Sequence, residues 1–124
     1  YCLVADPATV TAQDVRALAP IGIIGSGGPA SVVTEPPPFD NGIFDLGIPT
    51  LGICLTFQMW ARHIGVQVSR GGEFGQRSMN IVSASTLLRE CPNPMPVLQS
   101  HGERVEPDDR LAILGMSGEL IAAA

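Results

Sequence analysis

The 124 residues suffice for one hydrophobic core but not for two ordinary domains, and 45% apolar against 15% charged residues predicts burial rather than disorder. A formal charge of −5 excludes a basic surface for nucleic acid or anionic membrane, and seven arginines without a lysine exclude Schiff-base chemistry by this chain. Three cysteines with no C-x-x-C pair, and no apolar run of the ~20 residues a membrane helix needs, predict a cytoplasmic protein without a disulfide scaffold, zinc site or membrane span. No basic-then-apolar leader is present; Tyr1 at one end and the apolar Leu120-Ile121-Ala122-Ala123-Ala124 at the other predict truncation at both ends.

Thr11 is a candidate N-cap for a helix to Leu18, with Val15 and Leu18 at helical spacing. Ile21 to Ile24 is a short apolar run closed by Gly25-Ser26-Gly27-Gly28-Pro29, a buried strand entering a loop with exposed backbone. Ser31 to Asp40, with Pro36-Pro37-Pro38, predicts an extended surface loop, and Asp40 to Leu46 a short helix ended by Gly47. Ile48 to Ile53 reads as a second strand and Leu55 to Ile64 as the helix after it, ended by Gly65. Beyond Gly65, strands are predicted over Val66–Ser69, Ser78–Ser83, Met95–Gln99 and Leu111–Met116, separated by turns. The expected fold is therefore α/β: a mostly parallel central sheet flanked by helices, with an antiparallel extension, in a single domain over residues 1–124.

Cys54 occupies the corner between the second strand and its helix, in Gly52-Ile53-Cys54-Leu55-Thr56-Phe57-Gln58. A nucleophile on a sharp strand-to-helix turn is presented outward, and the helix N-terminus behind it favours negative charge there. The opposing reading is a buried cysteine closing a core strand. Gly52 suits the tight turn, whereas Thr56 puts a β-branched residue where glycine would fit best. Of the two histidines, His63 lies about 13 Å along the helix from Cys54 and cannot serve it as a base. Glu35, Asp40, Asp45 and Glu106-Pro107-Asp108-Asp109 lack metal-ligand spacing and read as solvated or turn residues; Cys2 and Cys91 read as packing or incidental thiols.

The elbow around Cys54 resembles that of the class I (triad) glutamine amidotransferases. Ser26-Gly27-Gly28-Pro29 before it, and Gly72-Glu73-Phe74-Gly75 and Ser100-His101-Gly102-Glu103 after it, resemble the glutaminase domains of GMP synthetases, in the same order. The resemblance implies that Cys54 attacks glutamine to form a thioester, with the N–H groups of Gly28 and Leu55 as an oxyanion hole. It implies substrate contacts from Gln58, Phe74, Ser100, His101, Gly102 and Glu103, the last four in a loop. Ammonia would pass to a synthetase domain or subunit that converts XMP to GMP with ATP and magnesium and carries any homodimer contact; this domain would need no cofactor.

The base in such enzymes is a histidine in a later His-Pro-Glu run, which is absent from these residues. His101 is thus a weak candidate for the base, and these 124 residues are expected to turn over little glutamine on their own. Two alternatives remain at this point. One is a glutaminase serving another synthetase, such as an anthranilate or carbamoyl-phosphate enzyme. The other is a non-catalytic docking domain, favoured by Thr56 and by the absent His-Pro-Glu.

Overall fold

The computed structural model describes residues 1–124, which form two compact units, Tyr1–Ile64 and Gly65–Ala124. In the first unit α1 (Ala12–Leu18) starts at a capping box: the Asp14 N–H donates to Thr11 Oγ1, and the Thr11 N–H and hydroxyl donate back to the Asp14 carboxylate. The Thr11 hydroxyl, and then its N–H, hold the Asp14 carboxyl below its ordinary range. β1 (Ile23–Gly25) and β2 (Thr50–Gly52) pair in parallel, Ile23 with Thr50 and Gly25 with Gly52. Both are shorter than the apolar runs that announce them. Between them, Asn41–Leu46 is a 3₁₀ turn ended by Gly47 at φ +70°, where glycine avoids the left-handed penalty.

Asp40 is not the merely solvated residue the sequence suggests. Its two carboxylate oxygens accept the N–H groups of Gly42 and Ala12, at 2.9 and 2.7 Å, and so cap the 3₁₀ turn and tie it to the start of α1. The loop expected to be extended begins instead as a turn over Ser31–Glu35, where Ser31 Oγ accepts the Val33 and Thr34 N–H groups. α2 (Leu55–His63) follows β2 as expected, and Val15, Val32, Ile43 and Ala61 supply buried apolar side chains in this unit. Helix α2 is the longest, and no helix is long and apolar enough to cross a membrane.

The second unit is an antiparallel sheet in the order β4-β3-β5-β6. The two strands predicted around Gly71, Gly72 and Gly75 are one, β3 (Val68–Ile81), paired with β4 (Met95–Val105). The glycines do not end the strand. Between the pairs Arg70–Glu103 and Glu73–His101, Gly71 and Gly72 stand opposite Gly102 alone: a bulge, with Gly71 at φ +110°. β5 (Gly115–Ser117) and β6 (Leu120–Ala123) form a hairpin through Gly118. β5 covers only the end of the predicted Leu111–Met116 run, and β6 has no counterpart among the predicted strands. The buried apolar side chains here include Val66, Met79, Val105, Leu111 and Ile121.

Candidate active site

The corner between β2 and α2 is strained at Cys54. Cys54 has φ +52° and ψ −107°, a combination that side chains disfavour and that costs on the order of 1–3 kcal/mol. Three backbone hydrogen bonds hold it: Ile53 N–H to the Gly25 carbonyl at 2.8 Å, Thr56 N–H to the Ile53 carbonyl at 3.2 Å, and Gln58 N–H to the Cys54 carbonyl at 3.0 Å. The first joins the corner to the end of β1, and the last begins α2.

Glycines clear the space around this corner. A Cβ on Gly52 would stand 3.0 Å from the Phe57 nitrogen, so a side chain two residues before the nucleophile would crowd the first turn of α2. A Cβ on Gly27 would stand 3.2 Å from the Cβ of Cys54 and 3.8 Å from its sulfur; one on Gly28 would meet Leu55 at 3.0 Å. The glycine loop and the cysteine therefore lie side by side, with no room for a side chain between them, and Gly27, Gly28, Cys54 and Leu55 are one local assembly. Gln58, one helical turn on, is buried. That is unusual for an amide side chain and unlike an ordinary solvated helix position.

Thr56 sits less awkwardly than its sequence position predicts. A Cβ on Gly25 would fall onto the Thr56 side chain, 2.7 Å from its Oγ1 and overlapping its Cγ2. The threonine thus fills the space that glycine leaves at the end of β1. Its hydroxyl also donates to the Ser26 carbonyl at 2.8 Å. Gly25, which closes β1, is visible in the sequence, but its pairing with Thr56 is a tertiary contact.

His63 is far along α2, as expected. Its Nε2 is 2.8 Å from Asp45 Oδ1 and its ring lies 5.6 Å from that of Phe44, a packing and hydrogen-bonding role at the end of the helix.

In the second unit, the Ser100–Glu103 segment expected as a loop is the interior of β4. The cause is the β3 bulge, which lets the strand pair on both sides of the glycines. Side chains alternate along a strand. Ser100 faces its cross-strand partner Phe74 on one side of the ribbon, and His101 faces Glu73 on the other. Phe74 is exposed and Glu103 buried. His101 Nδ1 lies 2.8 Å from the Glu103 carbonyl, which can only accept, so Nδ1 carries a proton and donates it. Gly72 must lack a side chain because a Cβ there would fall on the His101 carbonyl.

Glu73 has no role in the sequence reading beyond its place in the segment. Its Oε1 accepts the Ser117 hydroxyl at 3.0 Å and lies 3.3 Å from Arg77 Nε, while Oε2 is buried without a hydrogen-bond partner. Farther along, Glu106 is held below its ordinary range by the Ser69 hydroxyl and then Arg104, and Asp108 is lowered to about 2 by hydrogen bonds from the Arg110 side chain and N–H. These pairs belong to the framework of the second unit.

Comparison with known proteins gives this arrangement relatives. The family described as glutamine amidotransferase class-I matches residues 3–123. A GMP synthase [glutamine-hydrolyzing] of Streptococcus mutans is 41% identical over 122 residues, covering 93% of this chain and 24% of that protein. Its counterpart in Leifsonia xyli is 44% identical over 107 residues, covering 80% of this chain and 21% of that protein. Among solved structures, a GMP synthase subunit from Thermoplasma acidophilum superposes with a TM-score of 0.74 over 89% of this chain and 58% of that one; at 21% identity this establishes the fold. A glutamine amidotransferase of Thermotoga maritima is 34% identical with a TM-score of 0.57, covering 64% of this chain and 36% of its own. The chain spans about a quarter of the length of the curated relatives it matches.

Proposed function

The chain belongs to the class-I glutamine amidotransferase family, and on that premise we propose that it hydrolyses glutamine to glutamate and ammonia with Cys54 as nucleophile. The observation that carries the reading is the backbone of Cys54, at φ +52° and ψ −107° on the strand-to-helix corner. A non-glycine residue held there against its preference is the geometry of an exposed nucleophile.

In this reaction the Cys54 sulfur, as thiolate, adds to the side-chain amide carbon of glutamine. The oxyanion that forms takes hydrogen bonds from the N–H groups of Gly28 and Leu55, each donor worth about 3 kcal/mol in the transition state. Collapse breaks the carbon–nitrogen bond. The nitrogen leaves as ammonia with the proton that the thiol gave up, and water then cleaves the thioester to release glutamate and restore the thiol. Gln58, buried one turn behind the nucleophile, contacts the bound glutamine. The family resemblance makes Phe74, Ser100, His101, Gly102 and Glu103 the candidates for further substrate contacts.

The relatives named GMP synthase support a synthetase as the partner that consumes the ammonia, with XMP as acceptor and ATP and magnesium bound by that partner. The fit of Thr56 against Gly25 removes one ground for a non-catalytic docking domain. Ammonia release tests the proposal. Glutamine given to the protein together with its synthetase partner yields glutamate and ammonia, and Cys54→Ala reduces both to background. Unchanged release by Cys54→Ala would overturn it. Residues 1–124 tested alone are expected to show slow turnover; steady hydrolysis lost in His101→Ala would make His101 the base.

A further inference from the structure

We propose that Thr56 is a positioning residue for the oxyanion loop: its hydroxyl fixes the Ser26–Gly27 peptide plane, from which the peptide carrying the Gly28 N–H leads off. This rests on the glutaminase reading above and extends it to a residue that lies outside the reacting groups. Thr56 Oγ1 donates to the Ser26 carbonyl at 2.8 Å. That carbonyl and the Gly27 N–H belong to one planar trans peptide, so they point in opposite directions and turn together. The Gly27 Cα lies in the same plane, so holding the carbonyl also sets where the next peptide, which carries the Gly28 N–H, begins.

Gly27 and Gly28 carry no side chains, and glycine explores backbone conformations that other residues do not. Fixed donors stabilise a developing oxyanion only if they need no reorganisation when the charge appears. Thr56 supplies the restraint from the first turn of α2, the same turn that presents Cys54. Gly25 makes this possible, since any Cβ there would occupy the space of the Thr56 side chain. Glycine would fit best at position 56 of the elbow; here Gly25 clears the space for a threonine, and position 56 carries a hydroxyl.

Three variants separate the hydroxyl from the bulk. Thr56→Val keeps the shape and removes the donor, Thr56→Ser keeps the donor, and Thr56→Gly removes both. Two rates are compared for each: alkylation of Cys54 by an electrophilic glutamine analogue bearing a carbonyl, and alkylation by iodoacetamide across a range of pH. Thr56→Val is expected to slow the analogue by about tenfold or more while leaving the iodoacetamide pH profile in place, and Thr56→Ser to stay within about threefold of the native rate. Backbone amide relaxation gives a second readout. The order parameters of the Gly27 and Gly28 N–H groups should be near ~0.85 in the native protein and in Thr56→Ser, and fall towards ~0.6 in Thr56→Val. A Thr56→Val protein with native order parameters, or one in which both alkylation rates fall together, overturns the proposal. A native protein that takes no analogue while its loop still loosens in Thr56→Val overturns the glutaminase reading and leaves the positioning role standing.

Discussion

In residues 1–64 the unusual backbone at the β2–α2 corner falls on a cysteine, whereas in the β3 ribbon of residues 65–124 the positive φ angles fall on glycines. Cys54 bears φ +52° with a side chain attached; Gly71 and Gly75 take +110° and +86° without one. Both segments are bent, but only one is strained by its bend. Where shape alone is needed, glycine removes the cost. Where a side chain must project from the bend, the cost is kept and the neighbours are made small. Gly25, Gly27 and Gly52 around Cys54 are that accommodation. A strained residue persists only when its surroundings over-determine it, and such residues cluster at reacting sites.

Substitutions at the glycines break this contrast most sharply. Gly72→Ala is expected to have the largest effect, about 3 kcal/mol, because its Cβ falls on the His101 backbone carbonyl, which cannot move without opening the ribbon. Urea denaturation reads this directly, and a cost below about 1 kcal/mol would mean that the bulge can slip. Gly25→Ala should cost about 2 kcal/mol through its clash with Thr56, and most of that should disappear when Thr56→Gly is added. Additive effects in that double-mutant cycle would show that Thr56 does not fill the space at Gly25.

Smaller effects come from the framework. Thr11→Ala removes the cap of α1 and should lower stability by about 1 kcal/mol, seen as an earlier urea midpoint with an unchanged slope. The smallest expected effect is a pH dependence at Asp108. Its folded pKa, about 2, lies below the ordinary 3.8, so the contribution of its pairing with Arg110 is complete above pH 3.8 and lost as pH falls through about 2. Asp108→Asn should flatten stability against pH in that window; an unchanged acid limb would show that the pair contributes nothing measurable.

The first unit is easier to read from sequence than the second, for physical reasons. Helix α2 and its corner are local: an apolar run, a break in periodicity and a terminal Gly65 fix them within a few residues. The capping box at Thr11 and Asp14 is local too. β3 is not. Gly71, Gly72 and Gly75 look like turn signals in sequence, and only pairing with β4 reveals that two of them form a bulge in a continuous strand. The same pairing converts Ser100–Glu103 from an expected loop into strand, with consecutive side chains on opposite faces. β6 depends on a hairpin through Gly118 that a short apolar run does not announce. Likewise Asp40 looks solvated in sequence because the helix start it caps is 28 residues away in the chain.

The central claim is that the strained corner makes Cys54 the glutamine-directed nucleophile, and the other two thiols provide the control. After exposure to an electrophilic glutamine analogue, peptide mapping by mass spectrometry should find the adduct on Cys54 alone, with glutamine slowing its formation. Cys2, although exposed, and Cys91 should stay unmodified. An adduct shared among the three cysteines, or one whose formation glutamine does not slow, would contradict it.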